Sequence, residues 1–175
     1  MRHLRFCLAA AALAAAPMTA LAAPLPVKAA SAAEQAALLQ SPDPVLAANK
    51  KLVYDMWRTL LIGGRADQAD QYLAPDYMQH NPTLDTGIEP IRALLSKAPK
   101  RDIPATIPNL VSIVAERDIV ALSFVRAQPD PRDPSKSYTT TWMDMFRIAN
   151  GKIQEHWDVA TLPVAPPAPQ PKPAT

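Results

Sequence analysis

The spacing of apolar side chains changes from a helical period to a strand period along this chain. In residues 43–64 apolar positions recur three or four residues apart, Asp43 is a candidate N-cap, and Gly63-Gly64 can end the helix. Residues 65–75 and 87–97 show the same period over shorter lengths. The sequence therefore predicts three amphipathic helices ahead of any sheet.

Alternation with a period of two begins after Pro108. The first three predicted strands span 109–117, 118–128 and 137–148, with a proline-rich loop at 129–136. A fourth strand follows Asn150-Gly151, a dipeptide that favours a tight hairpin because both of its residues accept positive φ. Helices followed by antiparallel strands indicate an α+β fold, in which helices gathered on one side of a curved sheet leave a pocket between the two layers.

The Asn150-Gly151 hairpin also predicts which side chains share a face of the sheet. In an ideal two-residue turn Asp144 lies opposite Trp157, and partners across the ladder point to the same side. One face is then apolar and carries two carboxylates, whereas His156 and Asp158 lie on the other face. The apolar face is expected to hold Trp142, Asp144, Phe146, Ile148, Ile153, Glu155, Trp157 and Val159.

Asp144 is the better acid/base candidate of the two carboxylates on this face. A carboxylate among bulky aromatic side chains is poorly solvated, which disfavours its ionisation and suits a group that transfers protons. The alternative is that Asp144 accepts a hydrogen bond from a Trp N–H or an arginine and only orients the sheet. Glu155 lies closer to the turn, where contact with solvent or Arg147 favours a structural role.

His156 and Asp158 are two residues apart, so Asp158 could fix the tautomer of the imidazole. Ideal alternation sets this pair away from Asp144 and predicts a surface or interface pair. Only a β-bulge in the last strand would bring all three residues to one pocket.

A second polar cluster ends a short extended segment before Pro82. Tyr77, Gln79, His80 and Asn81 supply a hydroxyl, an imidazole, and amides with both donor and acceptor atoms. A turn in which these side chains bond their own backbone is the alternative interpretation.

The two ends of the chain have different compositions from the middle. Residues 1–22 place two arginines before an alanine-rich apolar run and a small-x-small motif, which predicts a cleavable signal peptide and a periplasmic or secreted protein. Further segments are predicted as an Ala-rich leader with a short helix at 23–42, one domain at 43–162, and a disordered Pro-rich tail at 163–175.

Removal of the signal peptide changes the charge balance. The loss of Arg2 and Arg5 takes the Lys+Arg count from 18 to 16, which equals the 16 Asp+Glu. Without a basic surplus, neither nucleic acid nor, once the signal is removed, a membrane is an expected partner. The single cysteine, Cys7, lies in the signal, so the mature chain has no thiol nucleophile, disulfide or Cys-metal site.

Taken together, these segments resemble the SnoaL-like polyketide cyclases of the nuclear-transport-factor-2-like superfamily. The resemblance is carried by "YMQHNP", "GIEPIRALL" and "DMFRIANGKIQEHWDV", in this order after the "KKLVYDMW" helix, and it covers about residues 43–162. It implies a conical α+β fold with three helices on a curved, mostly antiparallel sheet of four or more strands around a pocket, and often a homodimer formed through the sheet.

The resemblance also implies roles for particular residues. In such cyclases an acidic residue on the closing strands acts as general acid/base beside a histidine, without metal or organic cofactor. By position, Asp144 and Asp158 are the acid/base candidates, and His80 with Asn81 would lie at the pocket mouth. The family also gives a reason for a bulge that turns Asp158 inward. Export departs from the pattern, because antibiotic cyclases work in the cytoplasm.

Three functions are therefore expected to compete, and the first two use a small, largely apolar molecule as the ligand. In the first, Asp144 or Asp158 abstracts a proton α to a carbonyl while His80 or a Trp N–H stabilises the enolate. In the second, a non-catalytic carrier or sensor stacks the ligand against Trp142 and Trp157. In the third, a dimerising scaffold fills the pocket with its own side chains. Candidate substrate-binding residues are Tyr77, Asn81, Trp142, Phe146 and Trp157.

Overall fold

A curved, five-stranded sheet forms one layer of the molecule. The computed structural model describes residues 26–163, and its strands lie in the order β1-β5-β4-β3-β2. The central neighbours pair antiparallel, whereas β1 runs parallel to β5. The strands are β1 (Leu73–Gln79), β2 (Leu110–Glu116), β3 (Ile119–Asp130), β4 (Asp133–Ala149) and β5 (Lys152–Asp158). The predicted α+β fold is confirmed, with a sheet that is mixed and not closed.

Within residues 26–163, four α-helices accompany the sheet. They are α1 (Ala32–Leu38), α2 (Pro44–Met56), α3 (Ala69–Tyr72) and α4 (Ile88–Leu95). The Asp43 carboxylate caps α2 by accepting a hydrogen bond of 2.8 Å from the Val45 amide, as the sequence predicts. Beyond Met56 the helix continues as a π-helical segment, Trp57–Ile62, and this wider turn carries side chains to the rim of a cavity.

The core lies between the helices and the concave face of the sheet. Val53 and Leu60 from the helical layer meet Ile113, Val120 and Ile153 from the strands, and all five are almost completely buried. Alternate strand residues reach this core because side chains in a strand point to opposite faces. Polar side chains enter the layer mainly where β1, β4 and β5 lie side by side.

Two element boundaries differ from the sequence-based expectation. The predicted second helix does not reach residue 75, because the chain is already extended from Leu73 as β1. The proline-rich stretch 129–136 is not a separate loop, since β3 ends at Asp130 and β4 begins at Asp133. Pro129 is tolerated there because β2 pairs no further along β3 than Phe124, which leaves the tip of the hairpin with a free edge.

The leader segment packs against the domain from residue 26 onward. The amide of Gln35, on α1, accepts hydrogen bonds at Oε1 from the Ile107 amide (3.0 Å) and the Tyr54 hydroxyl (2.7 Å). Its Nε2 donates to the Ile107 carbonyl at 3.0 Å. Because Gln35 is buried and saturated, α1 is tied to the core rather than trailing from it.

Parts of the predicted organisation lie outside the described residues. The signal peptide at 1–22 and nearly all of the proline-rich tail fall there, so both remain predictions. Within residues 26–163, no helix has the length and apolar character that crossing a bilayer requires.

The β4–β5 hairpin contains a β-bulge that decides which side chains face the core. Asn150 and Gly151 have φ of 53° and 69°, as a type I′ turn requires, and Ile148 pairs with Ile153 as predicted. The register then shifts by one residue at Gln154. Beyond the bulge the observed pairs are Arg147 with Glu155, Phe146 with His156, Met145 with Trp157, and Asp144 with Asp158.

The face assignment predicted for the end of β5 is therefore wrong. A bulge inserts one unpaired residue and turns every later side chain to the opposite face. His156 and Asp158 join Asp144 on the concave face, whereas Glu155 and Trp157 move to the outer face.

Candidate functional site

A cavity of about 180 Å³ lies between the helical layer and β1, β4 and β5. Its helical side is apolar, and its sheet side carries nearly all of the polar groups. The apolar lining consists of Met56, Trp57, Leu60, Leu61, Leu73, Leu84, Ile91, Leu94, Leu95 and Phe146. The polar lining consists of Tyr77, Gln79, Asn81, Asp144, His156 and Asp158. The cavity is therefore an apolar space with one polar end.

Asp144 and His156 form a buried pair at the polar end. Asp144 is 4% exposed and His156 is 9% exposed, and Asp144 Oδ1 lies 2.9 Å from His156 Nε2. The imidazole also stacks on the Phe146 ring, with centroids 4.6 Å apart. These contacts fix the position of His156 in the sheet and isolate its bond with Asp144 from water.

A hydrogen bond from the Asn81 backbone identifies which nitrogen of the His156 ring carries a proton. Gln79 Oε1 lies 2.9 Å from His156 Nδ1 and accepts a hydrogen bond of 3.0 Å from the Asn81 amide. Because a backbone N–H can only donate, the atom facing His156 is the amide oxygen, so Nδ1 carries a proton and donates it. His156 Nε2 is therefore the nitrogen that shares a proton with Asp144.

Asp158 is held by two donors at the same end of the cavity. Its Oδ2 accepts a hydrogen bond of 2.6 Å from Asn81 Nδ2, and its Oδ1 accepts one of 2.8 Å from the Ala160 amide. The Asn81 amide is oriented by Thr83, whose backbone N–H donates to Asn81 Oδ1 at 2.8 Å. Both oxygens of Asp158 thus accept N–H donors, which is the arrangement of an ionised carboxylate.

Tyr77 provides a neutral donor beside these carboxylates. Burial, followed by the charges of Asp158 and Asp144, raises the pKa of Tyr77 well above its usual range. Its hydroxyl oxygen accepts a hydrogen bond of 3.3 Å from Gln79 Nε2. The phenol therefore stays protonated, and its hydrogen is free to donate to a molecule in the cavity.

One oxygen of Asp144 is buried without a hydrogen-bond partner. Oδ1 faces His156, but no donor among the described residues reaches Oδ2. An unpaired buried carboxylate oxygen costs free energy, and such exceptions are concentrated at functional positions. Asp144 Oδ2 is the atom of the site that is best placed to accept a proton.

The structure brings together five of the eight residues singled out from the sequence. Asp144, Asp158, Tyr77, Asn81 and Phe146 all line the cavity.

His80 and the two tryptophans are elsewhere. On the outer face, His80 stacks on Trp157 with ring centroids 4.8 Å apart, and its Nε2 lies 3.0 Å from Glu155 Oε2. Trp142 lies on the concave face, where it packs at the edge of the core under Arg126, but it does not line the cavity. The structure therefore places none of these three residues in the cavity lining: the bulge turns Trp157 outward, and alternation along the first strand turns His80 outward.

The sequence-based list missed the residues that complete the site. Alternation along β1 turns Tyr77 and Gln79 inward, and Asn81, two residues beyond the strand, follows the same pattern. A strand pattern over this segment therefore predicts Gln79 as a cavity residue and His80 as an outward one. Trp57 is the tryptophan that lines the cavity, and it stacks on Phe124 with centroids 4.4 Å apart. Trp57 lies on the apolar side of the first predicted helix, a position that does not by itself distinguish a cavity-lining side chain from a core one.

Among the residues that the structure describes, Asp144, His156 and Asp158 form a group that could hold a metal ion. Each offers one ligand atom, and these atoms lie within 4.8 Å of one another. Ligands of an ion bound at about 2.1 Å lie roughly 3.0–3.4 Å apart, so the triad would have to contract. His156 Nε2, the nitrogen not committed to Gln79, already faces Asp144 Oδ1. The geometry favours a proton-sharing pair over a ligand set.

Sequence comparison assigns this chain to a family. The model of the SnoaL-like domain matches residues 53–156, which include the cavity-lining parts of α2, β1, α4, β4 and most of β5. The chain belongs to the SnoaL-like family. No curated protein matches the sequence.

Solved structures similar to this SnoaL-like protein come from several bacteria. An LEH-like epoxide hydrolase from M. tuberculosis is 17% identical with a TM-score of 0.47, and the match covers 66% of this chain and 84% of that one. A polyketide-cyclase candidate from Acidithiobacillus ferrooxidans is 15% identical with a TM-score of 0.46, over 69% and 90% of the two chains. An NTF2-like protein of unknown function from Burkholderia pseudomallei is 14% identical with a TM-score of 0.46, over 65% and 91%.

Proposed function

We propose that this SnoaL-like protein catalyses proton transfer on a small, largely apolar carbonyl compound bound in the cavity. The observation that carries the proposal is the buried Asp144–His156 pair, whose carboxylate has one oxygen without a partner at the polar end of an apolar space. A base in such a place can meet an acidic C–H without competition from water.

Asp144 is the general base in this proposal. Its Oδ2 takes a proton from the carbon α to the carbonyl, and the C–H electron pair moves into the new C=C bond as the carbonyl oxygen becomes an enolate. Oδ1 and His156 Nε2 keep sharing their own proton, so the imidazole holds the carboxylate in place throughout. Return of the proton to another carbon gives isomerisation. Attack of the enolate carbon on a second carbonyl breaks its C=O π bond, and the alkoxide formed takes the proton back from Asp144 Oδ2, which completes an aldol-type cyclisation.

Tyr77 stabilises the enolate oxygen in place of His80 or a Trp N–H. Its phenol stays protonated, because burial and the neighbouring carboxylates raise its pKa. Asn81 positions the polar end through Gln79 and Asp158. A neutral donor aimed at the place where negative charge develops lowers the energy of the transition state more than that of the ketone.

Exchange of α-hydrogens in D2O tests the proposal without knowledge of the natural product. One-ring ketones, beginning with cyclohexanone, are incubated with the protein, and deuterium uptake is followed by NMR. The Asp144→Asn variant should lose about 10²–10⁴-fold in exchange rate, the usual contribution of a general base. Asp85→Asn, at an exposed aspartate away from the cavity, should exchange like the wild type. Equal rates for wild type and Asp144→Asn would refute the assignment.

A carrier that binds without chemistry is the second candidate, and the apolar lining supports it. Trp57 lines the cavity, so ligand binding should change its fluorescence whether or not exchange occurs. A saturable change without deuterium uptake from any ketone would favour the carrier.

We further propose that the mature protein is exported and forms a homodimer. Export is supported by the signal-like sequence at 1–22, and cleavage after Ala22 can be checked by intact mass measurement of protein from the periplasm. Dimerisation is supported by the apolar side chains on the outer face of the sheet.

A further inference from the structure

Two leucines line the cavity although each is almost half exposed to solvent. Leu61, on the π-helical segment, is 44% exposed, and Leu94, on α4, is 48% exposed. Both therefore lie where the cavity meets the surface, and we call them the mouth leucines.

The backbone under Leu61 is tightly packed. The Gly63 amide donates to the Arg58 carbonyl at 2.9 Å in the i to i−5 pattern of a π-helix, and a Cβ at Gly63 would lie 2.8 Å from the Thr59 carbonyl oxygen. The Arg65 amide returns to that same Thr59 carbonyl. A π-helical turn is uncommon and is frequently found at functional sites. Leu61 therefore sits on a fixed rim rather than on a mobile loop.

The volume of the cavity limits the size of its ligand. A protein cavity of about 150 Å³ accommodates benzene. The space here is about 180 Å³, which is enough for one six-membered ring with a small substituent. A second fused ring would have to displace the mouth leucines.

The charges around the cavity limit the charge of the ligand. Asp158 contributes a negative charge, whereas Asp144 and His156 share a proton and so nearly cancel. No Lys or Arg occurs among the described residues that line the cavity. An anion would lose its hydration with no cation to replace it, which is strongly unfavourable. An ammonium ion would find one open acceptor, Asp144 Oδ2, which cannot replace its three hydrogen bonds to water, because both Asp158 oxygens already accept N–H donors and most of the lining is apolar.

We propose that the site selects uncharged molecules of about one ring with a single oxygen function, and that Leu61 and Leu94 set the size limit. The oxygen reaches Tyr77 at the polar end, and the ring fills the apolar end beside Trp57. The inference rests on the proposed function, because it places the ligand over Asp144, but it concerns binding and can be measured without turnover.

Calorimetric titration with four matched probes at neutral pH tests the inference. Cyclohexanone is uncharged, cyclohexanecarboxylate is an anion, cyclohexylamine is a cation, and 1-decalone adds a second ring to the ketone. Cyclohexanone should bind at least tenfold more tightly than each of the others. Equal or tighter binding of any other probe would overturn the corresponding limit, and absence of binding by all four would overturn the whole inference.

Variants at the mouth separate the size limit from general hydrophobicity. The double variant Leu61→Ala, Leu94→Ala should gain at least tenfold in affinity for 1-decalone and should not gain for cyclohexanone. Val45→Ala is the control, since Val45 is 61% exposed on α2 and does not line the cavity. An unchanged affinity for 1-decalone in the folded double variant would show that the mouth leucines do not set the size limit.

The size and charge limits can fail or hold independently of the proton transfer that the deuterium-exchange experiment tests. Selective binding of cyclohexanone without α-exchange would leave the size and charge limits in place and would refute only the proton transfer. Exchange of cyclohexanone together with equally tight binding of 1-decalone would leave the proton transfer in place and would refute the size limit.

Discussion

Gln154 is the residue whose position decides the chemistry of the site. It is the extra residue of the bulge, its side chain donates to the Ala149 carbonyl at 3.0 Å, and it contributes nothing to the cavity lining. Its effect is on the residues that follow, because His156 and Asp158 face Asp144 only after the register has shifted. A residue with no chemical role of its own thus assembles the polar end of the cavity.

The hydroxyl of Tyr77 is expected to stabilise the enolate oxygen. Tyr77→Phe removes the donor to the enolate oxygen and should lower the rate of α-hydrogen exchange by about 10²-fold or more, with little change in ketone binding. Rates of deuterium uptake and calorimetric affinities measure the two effects separately. Tyr138→Phe, at an exposed tyrosine on β4, is the control and should match the wild type. A Tyr77→Phe variant with wild-type exchange would show that another group stabilises the oxyanion.

Glu155 gives a pH-dependent prediction. Hydrogen bonds from His80 and from Arg147 lower the pKa of Glu155 below its usual value. A carboxyl whose folded-state pKa is depressed adds stability above its unfolded pKa and loses that contribution as the pH falls through the folded value. Between roughly pH 5 and pH 3, the free energy of unfolding should therefore fall more steeply for the wild type than for Glu155→Gln.

Urea unfolding at several pH values measures this difference. The Asp85→Asn variant, at an exposed aspartate, should keep the wild-type slope. Identical slopes for wild type and Glu155→Gln would mean that the contacts of Glu155 with His80 and Arg147 are not formed in solution.

At the scale of elements, the sequence predicted the type of most elements but not the register of the last one. The Asp43 cap and the Asn150-Gly151 turn were predictable because each depends on local backbone chemistry. The bulge was not, since it depends on which face of β5 is needed by the rest of the core. The parallel pairing of β1 with β5 is equally non-local, and it is what brings Gln79 beside His156.

Deletion of Gln154 tests the role of the bulge. The shortened strand would pair as an ideal hairpin that keeps Glu155 opposite Arg147 and His156 opposite Phe146, so every later side chain stays on its present face. The deletion variant should therefore keep ketone binding and lose no more than about 3 kcal/mol of the free energy of unfolding. Gln154→Ala is the reference, because it keeps the bulge and loses only one exposed hydrogen bond. Loss of ketone binding in a folded deletion variant would show that these cross-strand pairs do not by themselves place His156 and Asp158 in the cavity.

At the scale of the whole molecule, the fold class, the presence of a pocket and Asp144 were predictable from the sequence. The identity of the cavity-lining tryptophan was not, because an apolar position on the first helix does not distinguish Trp57, which lines the cavity, from a core residue. The outward position of His80 follows from alternation along the extended segment before Pro82, which sets His80 on the face opposite to Tyr77 and Asn81.

The outer face of the sheet is predicted to form the dimer interface. Met143, Met145, Trp157 and Val159 form an apolar patch there, and Met143 is 56% exposed. Met143→Lys should convert a dimer into a monomer, because a buried lysine at the interface would lack a partner. Sedimentation velocity measures the change, and Val45→Lys on the helical side is the control. A wild-type monomer, or a Met143→Lys dimer, would exclude an interface at this patch.

The central claim is that the bulge places His156 between Gln79 and Asp144, where it donates from Nδ1 and shares a proton at Nε2. Nitrogen NMR of the ¹⁵N-labelled histidine ring, assigned with His156→Gln, tests it most directly. We expect Nδ1 to carry a bonded proton at every pH at which the protein stays folded, and Asp144→Asn to move the Nε2 signal much more than the Nδ1 signal. A neutral ring protonated only at Nε2, or an Nε2 signal unaffected by Asp144→Asn, would contradict the account.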